Sequence, residues 1–300
     1  MKFKRLINLI ILLVTCFGST KAVAQEVIEI EPLFEYPEVP DELTTLTDRT
    51  GYLVKNFWNN LDTKNQQAVD QIALNHAFSV FCTSLRWADQ DLSLQSVEKL
   101  IDKISNNPVL LVQMAKAAKE NLYGPNAEYW SDILYLKFLD AAIKNKKVSE
   151  SRKERYRKEA EILRSTLIGN KAPSFSFEEP DGKISQYFPM STPTLIIFGD
   201  PENTDWRMVR LGLEINTELN QAIDKGKLNV LYIVNSSAGD WKKSVDNYTR
   251  RWKVGKGIDL DEKYDMRLNP SVYLIGSDGA IQLKNSPLQT AVNQALEIVN

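Results

Sequence analysis

The chain has 300 residues, 43% hydrophobic and 25% charged, with a formal net charge of −2. This is ordinary globular composition, with room for one large or two ordinary domains. The near-neutral balance excludes a global basic field for nucleic acid, the single histidine excludes a His-rich metal centre, and Cys16 and Cys82 alone exclude a multi-cysteine zinc site.

Met1–Arg5 is a positive n-region, Leu6–Val14 is apolar, and Ala22-Val23-Ala24 is an A-x-A cleavage pattern. Residues 1–24 therefore read as a signal peptide; the apolar run is too short to span a bilayer. Export to the periplasm is expected, with the mature chain starting near Gln25. Leu13-Val14-Thr15-Cys16 resembles a lipoprotein box, so a lipid-anchored envelope protein is the alternative, and membrane attachment is expected only if Cys16 is lipidated. Cleavage after Ala24 removes four basic residues and no acidic one. It also removes Cys16, leaving Cys82 without a partner for an internal disulfide.

Residues 25–40 carry three prolines and five glutamates and read as an extended leader against the folded body. Residues 41–168 carry helical periodicity and are expected to form a helical domain. Asp41 is expected to cap a helix through Tyr52, Phe57 and Trp58. The next, near 64–87, is apolar on two sides (Val69, Ile72, Ala73 and Val80; Leu74, Phe78, Phe81 and Leu85) and should lie centrally. Further helices are expected near 92–104, 108–123, 127–144 and 149–167, with Pro108 and Gly124 as start and stop signals.

At Gly169 the period changes, and residues 169–300 read as an α/β layer fold with a mixed sheet. The expected order is a hairpin around Glu179–Gly182, a buried strand 193–198, a helix 206–222, a buried strand 228–234 and a helix 240–252. A hairpin of 271–275 with 280–284 and a closing helix 287–299 follow. This order, with Ala172-Pro173-Ser174-Phe175, Gly182-Lys183 and Tyr264–Gly279, resembles the thioredoxin-like fold, more narrowly its exported branch related to TlpA and the peroxiredoxins. The resemblance implies that Pro270 is that fold's cis-proline. Tyr36–Pro40, Asp48-Arg49, Phe57-Trp58 and Leu122–Asn126 are similar to a helical domain of unknown function that precedes a thioredoxin-like domain in exported proteins of anaerobic gut bacteria. The fold class is thus an all-helical domain followed by a thioredoxin-like mixed-sheet domain.

Redox-active members of the resembled family carry Cys-x-x-Cys at a helix start, where the helix dipole lowers a thiol pKa. Here Asn203 and Trp206 fall at those positions, and neither can form a disulfide. Asn203 or Thr204 can instead cap the helix. Cys82 is expected to be a buried inert thiol, and His76 a hydrogen-bonded core residue on another face of the same helix. The carboxylates of 259–265 lack the order of a calcium loop and read as solvated. Residues 144–164 hold nine basic and four acidic side chains and read as a solvent-facing helix with short-range pairs. There is no phosphate-binding glycine loop, nucleophile elbow or HExxH motif.

The expectation is an exported, redox-inactive thioredoxin-like protein without cofactor or metal, a binding or interaction module of the cell envelope. An extended peptide of a partner protein would lie beside Pro201, Trp206, Asn269 and Pro270. The alternative is a thiol-disulfide oxidoreductase using Cys82 or partner thiols.

Overall fold

A computed structural model describes residues 30–189, 191–235, 241–245 and 248–299. The expected signal peptide, its expected cleavage site and Cys16 lie outside the described residues. No described helix is long and apolar enough to cross a membrane. Residues 32–299 belong to one compact unit.

Six helices come first: α1 (Leu46–Asn56), α2 (Gln71–Leu85), α3 (Gln90–Ile104), α4 (Pro108–Leu122), α5 (Asp132–Lys144) and α6 (Glu150–Ser165). Five of the six starts are set by a side-chain cap, and Ser149 at the start of α6 makes no such bond. Thr45, Asp70, Asp89, Asn107 and Ser131 all accept a backbone N–H of the first turn, satisfying donors the helix cannot. The cap of α1 is therefore Thr45 and not Asp41; Asp41 lies in a turn. Helix α2 buries Leu74, Ala77, Phe78, Phe81, Cys82 and Leu85 but leaves Ile72 66% exposed, so it is apolar on one broad side only. The leader from Leu33 to Tyr36 packs on the helical core, with the Tyr36 and Phe34 rings 5.0 and 5.7 Å from Phe57.

The second half is a seven-stranded sheet, β1 (Phe175–Glu178), β2 (Ile184–Tyr187), β3 (Thr194–Gly199), β4 (Asn229–Val234), β5 (Lys253–Ile258), β6 (Ser271–Ile275) and β7 (Ile281–Leu283). Its order is β2-β1-β5-β4-β3-β6-β7, parallel across β5, β4 and β3 and antiparallel elsewhere. Helices α7 (Thr204–Glu214), α8 (Thr217–Asp224), α9 (Trp241–Ser244) and α10 (Leu288–Val299) complete it. The expected 206–222 helix is two helices, because Asn216 caps a new one at Leu219 N.

Strand β3 alternates by period two: Leu195 and Ile197 join the core under α7, α8 and α10, while Ile196 and Phe198 join the aromatic core of Phe175, Phe177, Tyr264 and Tyr273. The linker is stitched to the sheet margin by Gly169 N–H to Ile281 O at 2.8 Å and Ala172 N–H to Gly279 O at 2.9 Å. That pairing covers β7, which would otherwise be an open edge.

Strand β5 was not expected, since Lys253-Val-Gly-Lys-Gly-Ile258 has neither apolar alternation nor β-branched density. Its glycines have a packing reason. A Cβ on Gly255 would meet Phe177 Cδ2 at 2.4 Å, and one on Gly257 would meet Leu260 Cδ1 at 2.1 Å.

Candidate functional site

In this fold β3 delivers the chain to the start of α7, against the loop before β6. The Asn269–Pro270 peptide bond is cis. The Asn269 side-chain oxygen accepts Asp200 N–H at 3.1 Å, and the Asn203 amide reaches Asn269 O at 3.5 Å. Asn203 also caps α7, its oxygen accepting Asp205 N–H at 2.7 Å. Asn203 thus holds two segments together and presents no nucleophile.

Trp206, in the first turn of α7, is fully buried. Its ring meets Tyr232 edge-on at 4.2 Å, its indole N–H donates to Tyr248 Oη at 2.6 Å, and its carbonyl accepts the Tyr232 hydroxyl at 2.8 Å. Such an indole is core filling. Gly199 is required beneath it, because a Cβ there would meet Trp206 Cε3 at 2.4 Å and Asn269 Oδ1 at 2.9 Å. The expectation that Trp206 and Pro201 line a peptide groove is corrected: both are buried, Trp206 because sheet and helix close over its ring. Asn269 is exposed and Pro270 half-buried.

A second constellation joins the two halves. Arg267 Nε lies 3.0 Å from Asp265 Oδ2, and its Nη2 lies 2.5 Å from Asp132 Oδ1 at the start of α5. Lys284 Nζ reaches Asp132 Oδ2 at 2.5 Å and Asp265 Oδ2 at 2.9 Å. Tyr123 of α4 donates its hydroxyl to Asp265 Oδ1 at 2.9 Å, and the Arg267 guanidinium lies 4.0 Å from the Tyr123 ring centre. Burial alone would raise the Asp265 pKa, but the Arg267 hydrogen bonds and the Lys284 charge outweigh it and hold the carboxyl below its usual value. Asn285, at a φ of +48°, donates to Asp265 O at 3.1 Å and accepts from the Ser271 hydroxyl at 2.8 Å. The reading of 259–265 as solvated therefore fails at Asp265, which two cations and a tyrosine take into the interior; Asp259, Asp261 and Glu262 are exposed. Beside these charges opens a cleft of about 430 Å³ rimmed by Trp130, Ile133 and Ile168.

Cys82 sits in the helical core, apart from the β3–α7 junction's core. Burial first, then the negative charge of Glu128, pushes its thiol pKa well up, which disfavours the thiolate. His76 is half-buried, with Nδ1 3.5 Å from the Tyr36 hydroxyl.

The family model described as a domain of unknown function, DUF5106, matches residues 16–166. No curated protein matches the chain in sequence. Among solved structures, a thioredoxin-like protein from Bacteroides caccae aligns over 88% of this chain and 98% of its own, at 21% identity and a TM-score of 0.73. That likeness gives the fold of both halves. A conserved protein of unknown function from Bacteroides fragilis aligns over 43% of this chain and 98% of its own, at 22% identity and a TM-score of 0.40. The thioredoxin domain of a thiol-disulfide oxidoreductase from Bacteroides vulgatus aligns over 45% and 99%, at 20% identity and a TM-score of 0.38.

Proposed function

The chain belongs to the DUF5106 family, and we propose from this membership and its thioredoxin-like second half that it is an exported, redox-inactive binding module of the cell envelope. One observation carries the reading. At the β3–α7 junction, Asn203 is committed to capping and to the Asn269 carbonyl, and Trp206 to the core. Thiol–disulfide exchange needs an accessible thiolate and a second sulfur to resolve the mixed disulfide. The mature chain has Cys82 alone, buried in the other half.

Export rests on the signal pattern of residues 1–24, and periplasmic residence on the Ala22-Val-Ala24 site. Intact mass of protein from the native envelope reads the N-terminus: Gln25 supports a periplasmic form, a diacylated Cys16 an anchored one, and an unprocessed Met1 contradicts export.

The partner is a protein or peptide of the envelope. Asn269 and Pro270 remain the surface for an extended segment at the junction. The test is capture from native envelope with wild type and Cys82→Ser, each eluted with and without a reducing agent. Capture that survives reduction and the substitution supports the binding module. Capture that needs the Cys82 thiol overturns it in favour of an oxidoreductase.

A further inference from the structure

Helices α4 and α6 both pack on α5 and make few contacts with each other, so a groove runs between them over α5. It encloses about 410 Å³, within the range of small-molecule sites. Its floor is apolar: Ala115 and the rings of Tyr135 and Tyr156 are buried. Its walls are cationic, with Lys116 and Lys119 on α4 and Arg152 and Arg155 on α6.

The one carboxylate in the lining, Glu159, is already neutralised. Its Oε1 lies 2.7 Å from Lys119 Nζ. Lys116, Arg152 and Arg155 are exposed and form no ion pair among the described residues. Elsewhere on α6, Lys153 pairs with Glu150, Arg157 with Glu150 and Glu154, and Arg164 with Asp140 of α5. Lys116 on one wall and Arg152 and Arg155 on the other are thus left without a carboxylate partner among the described residues. In a concave site with low-dielectric walls, such charges focus a positive potential.

We propose that this groove binds a small organic anion with an apolar body and at least two negative charges. The body covers the Tyr135–Tyr156 floor, and the acidic groups meet Lys116 on one wall and Arg152 and Arg155 on the other. The planar, permanently charged guanidinium is suited to carboxylate, sulfate or phosphate oxygens. The site lies wholly in the helical half, so it stands or falls separately from the redox-inactive reading.

Isothermal titration of the mature protein with naphthalene-1,5-disulfonate tests it, with inorganic sulfate and naphthalene-1-sulfonate as comparisons. Saturable one-to-one binding of the disulfonate is expected, weakening as salt is raised. Inorganic sulfate and the monosulfonate should each bind at least about tenfold more weakly. The double variant Arg152→Glu with Arg155→Glu, and Lys116→Glu separately, should each weaken disulfonate binding at least about tenfold. Lys225→Glu, on α8's C-terminal side in the other half, should leave it unchanged, and circular dichroism should show all variants folded. No saturable binding, sulfate binding as tight as the disulfonate, or an unaffected double variant overturns the proposal.

Discussion

Arg267 Nη2 lies 2.5 Å from Asp132 Oδ1, joining the loop before β6 to the first turn of α5. Both cations of this contact are buried: the Arg267 and Lys284 side chains are 2% and 6% exposed. A buried ion pair need not stabilise relative to an apolar pair of the same shape, but removing one partner strands the other. The halves are therefore joined by a buried network in which Asp132 and Asp265 share Arg267 and Lys284, so deleting either carboxylate leaves two cations on one anion.

Asp132→Ala removes the carboxylate shared by Arg267 and Lys284. It should lower unfolding free energy by about 3–5 kcal/mol, read from urea titration. A loss under about 1 kcal/mol would show that water enters and solvates the cations.

Acid should weaken the same junction. Asp265 has a folded-state pKa below its unfolded value, so its contribution is fully present above the unfolded pKa, about 3.9, and is lost as pH falls through the folded one. The stability difference between wild type and Asp265→Asn should be constant from about pH 7 to 5 and shrink below about pH 4. Urea midpoints across that range check it; a difference that grows on acidification would reverse the sign.

Much of the fold can be read from the chain because it depends on local spacing. Pro108 and Gly124 bracket α4, and the runs Leu195–Phe198 and Val230–Val234 are hydrophobic without break, as strands buried on both faces must be. Strand β5 could not be read this way, since its glycines answer to Phe177 and Leu260, which lie at a distance in sequence or around a turn. The helix expected from residue 127 begins only at Asp132, because Ser131 accepts Leu134 N–H and caps it there. The charge cluster was illegible for a related reason. Asp132, Asp265, Arg267 and Lys284 come from three separate segments, and each alone looks like a surface charge. At the candidate site, the absence of a Cys-x-x-Cys motif is plain in the sequence, but the burial of Trp206 depends on Tyr232 and Tyr248, which lie far along the chain.

Gly199→Ala tests the close approach at the β3–α7 junction. The new Cβ would stand 2.4 Å from Trp206 Cε3, and the indole is confined on its other side by Tyr232. Overpacking of this kind should cost about 1–3 kcal/mol, seen as a lower urea midpoint with an unchanged slope. A neutral substitution would mean that the indole can shift.

The Cys82 thiol should be silent in the native state. It is 4% exposed and its pKa is raised, so thiolate and access are both lacking. Ellman's reagent at pH 8 should label mature protein fully in denaturant and negligibly without it. Rapid native labelling would place the thiol within reach of solvent through the Arg86–Glu128 cleft beside it.

The central claim is that the thioredoxin-like half is a scaffold without thiol chemistry, and turnover of a disulfide substrate by the mature protein tests it most directly. Reduction of insulin disulfides in dithiothreitol should proceed at the rate of dithiothreitol alone, and Cys82→Ser should change nothing. Turnover well above that background, abolished by Cys82→Ser, would contradict the account.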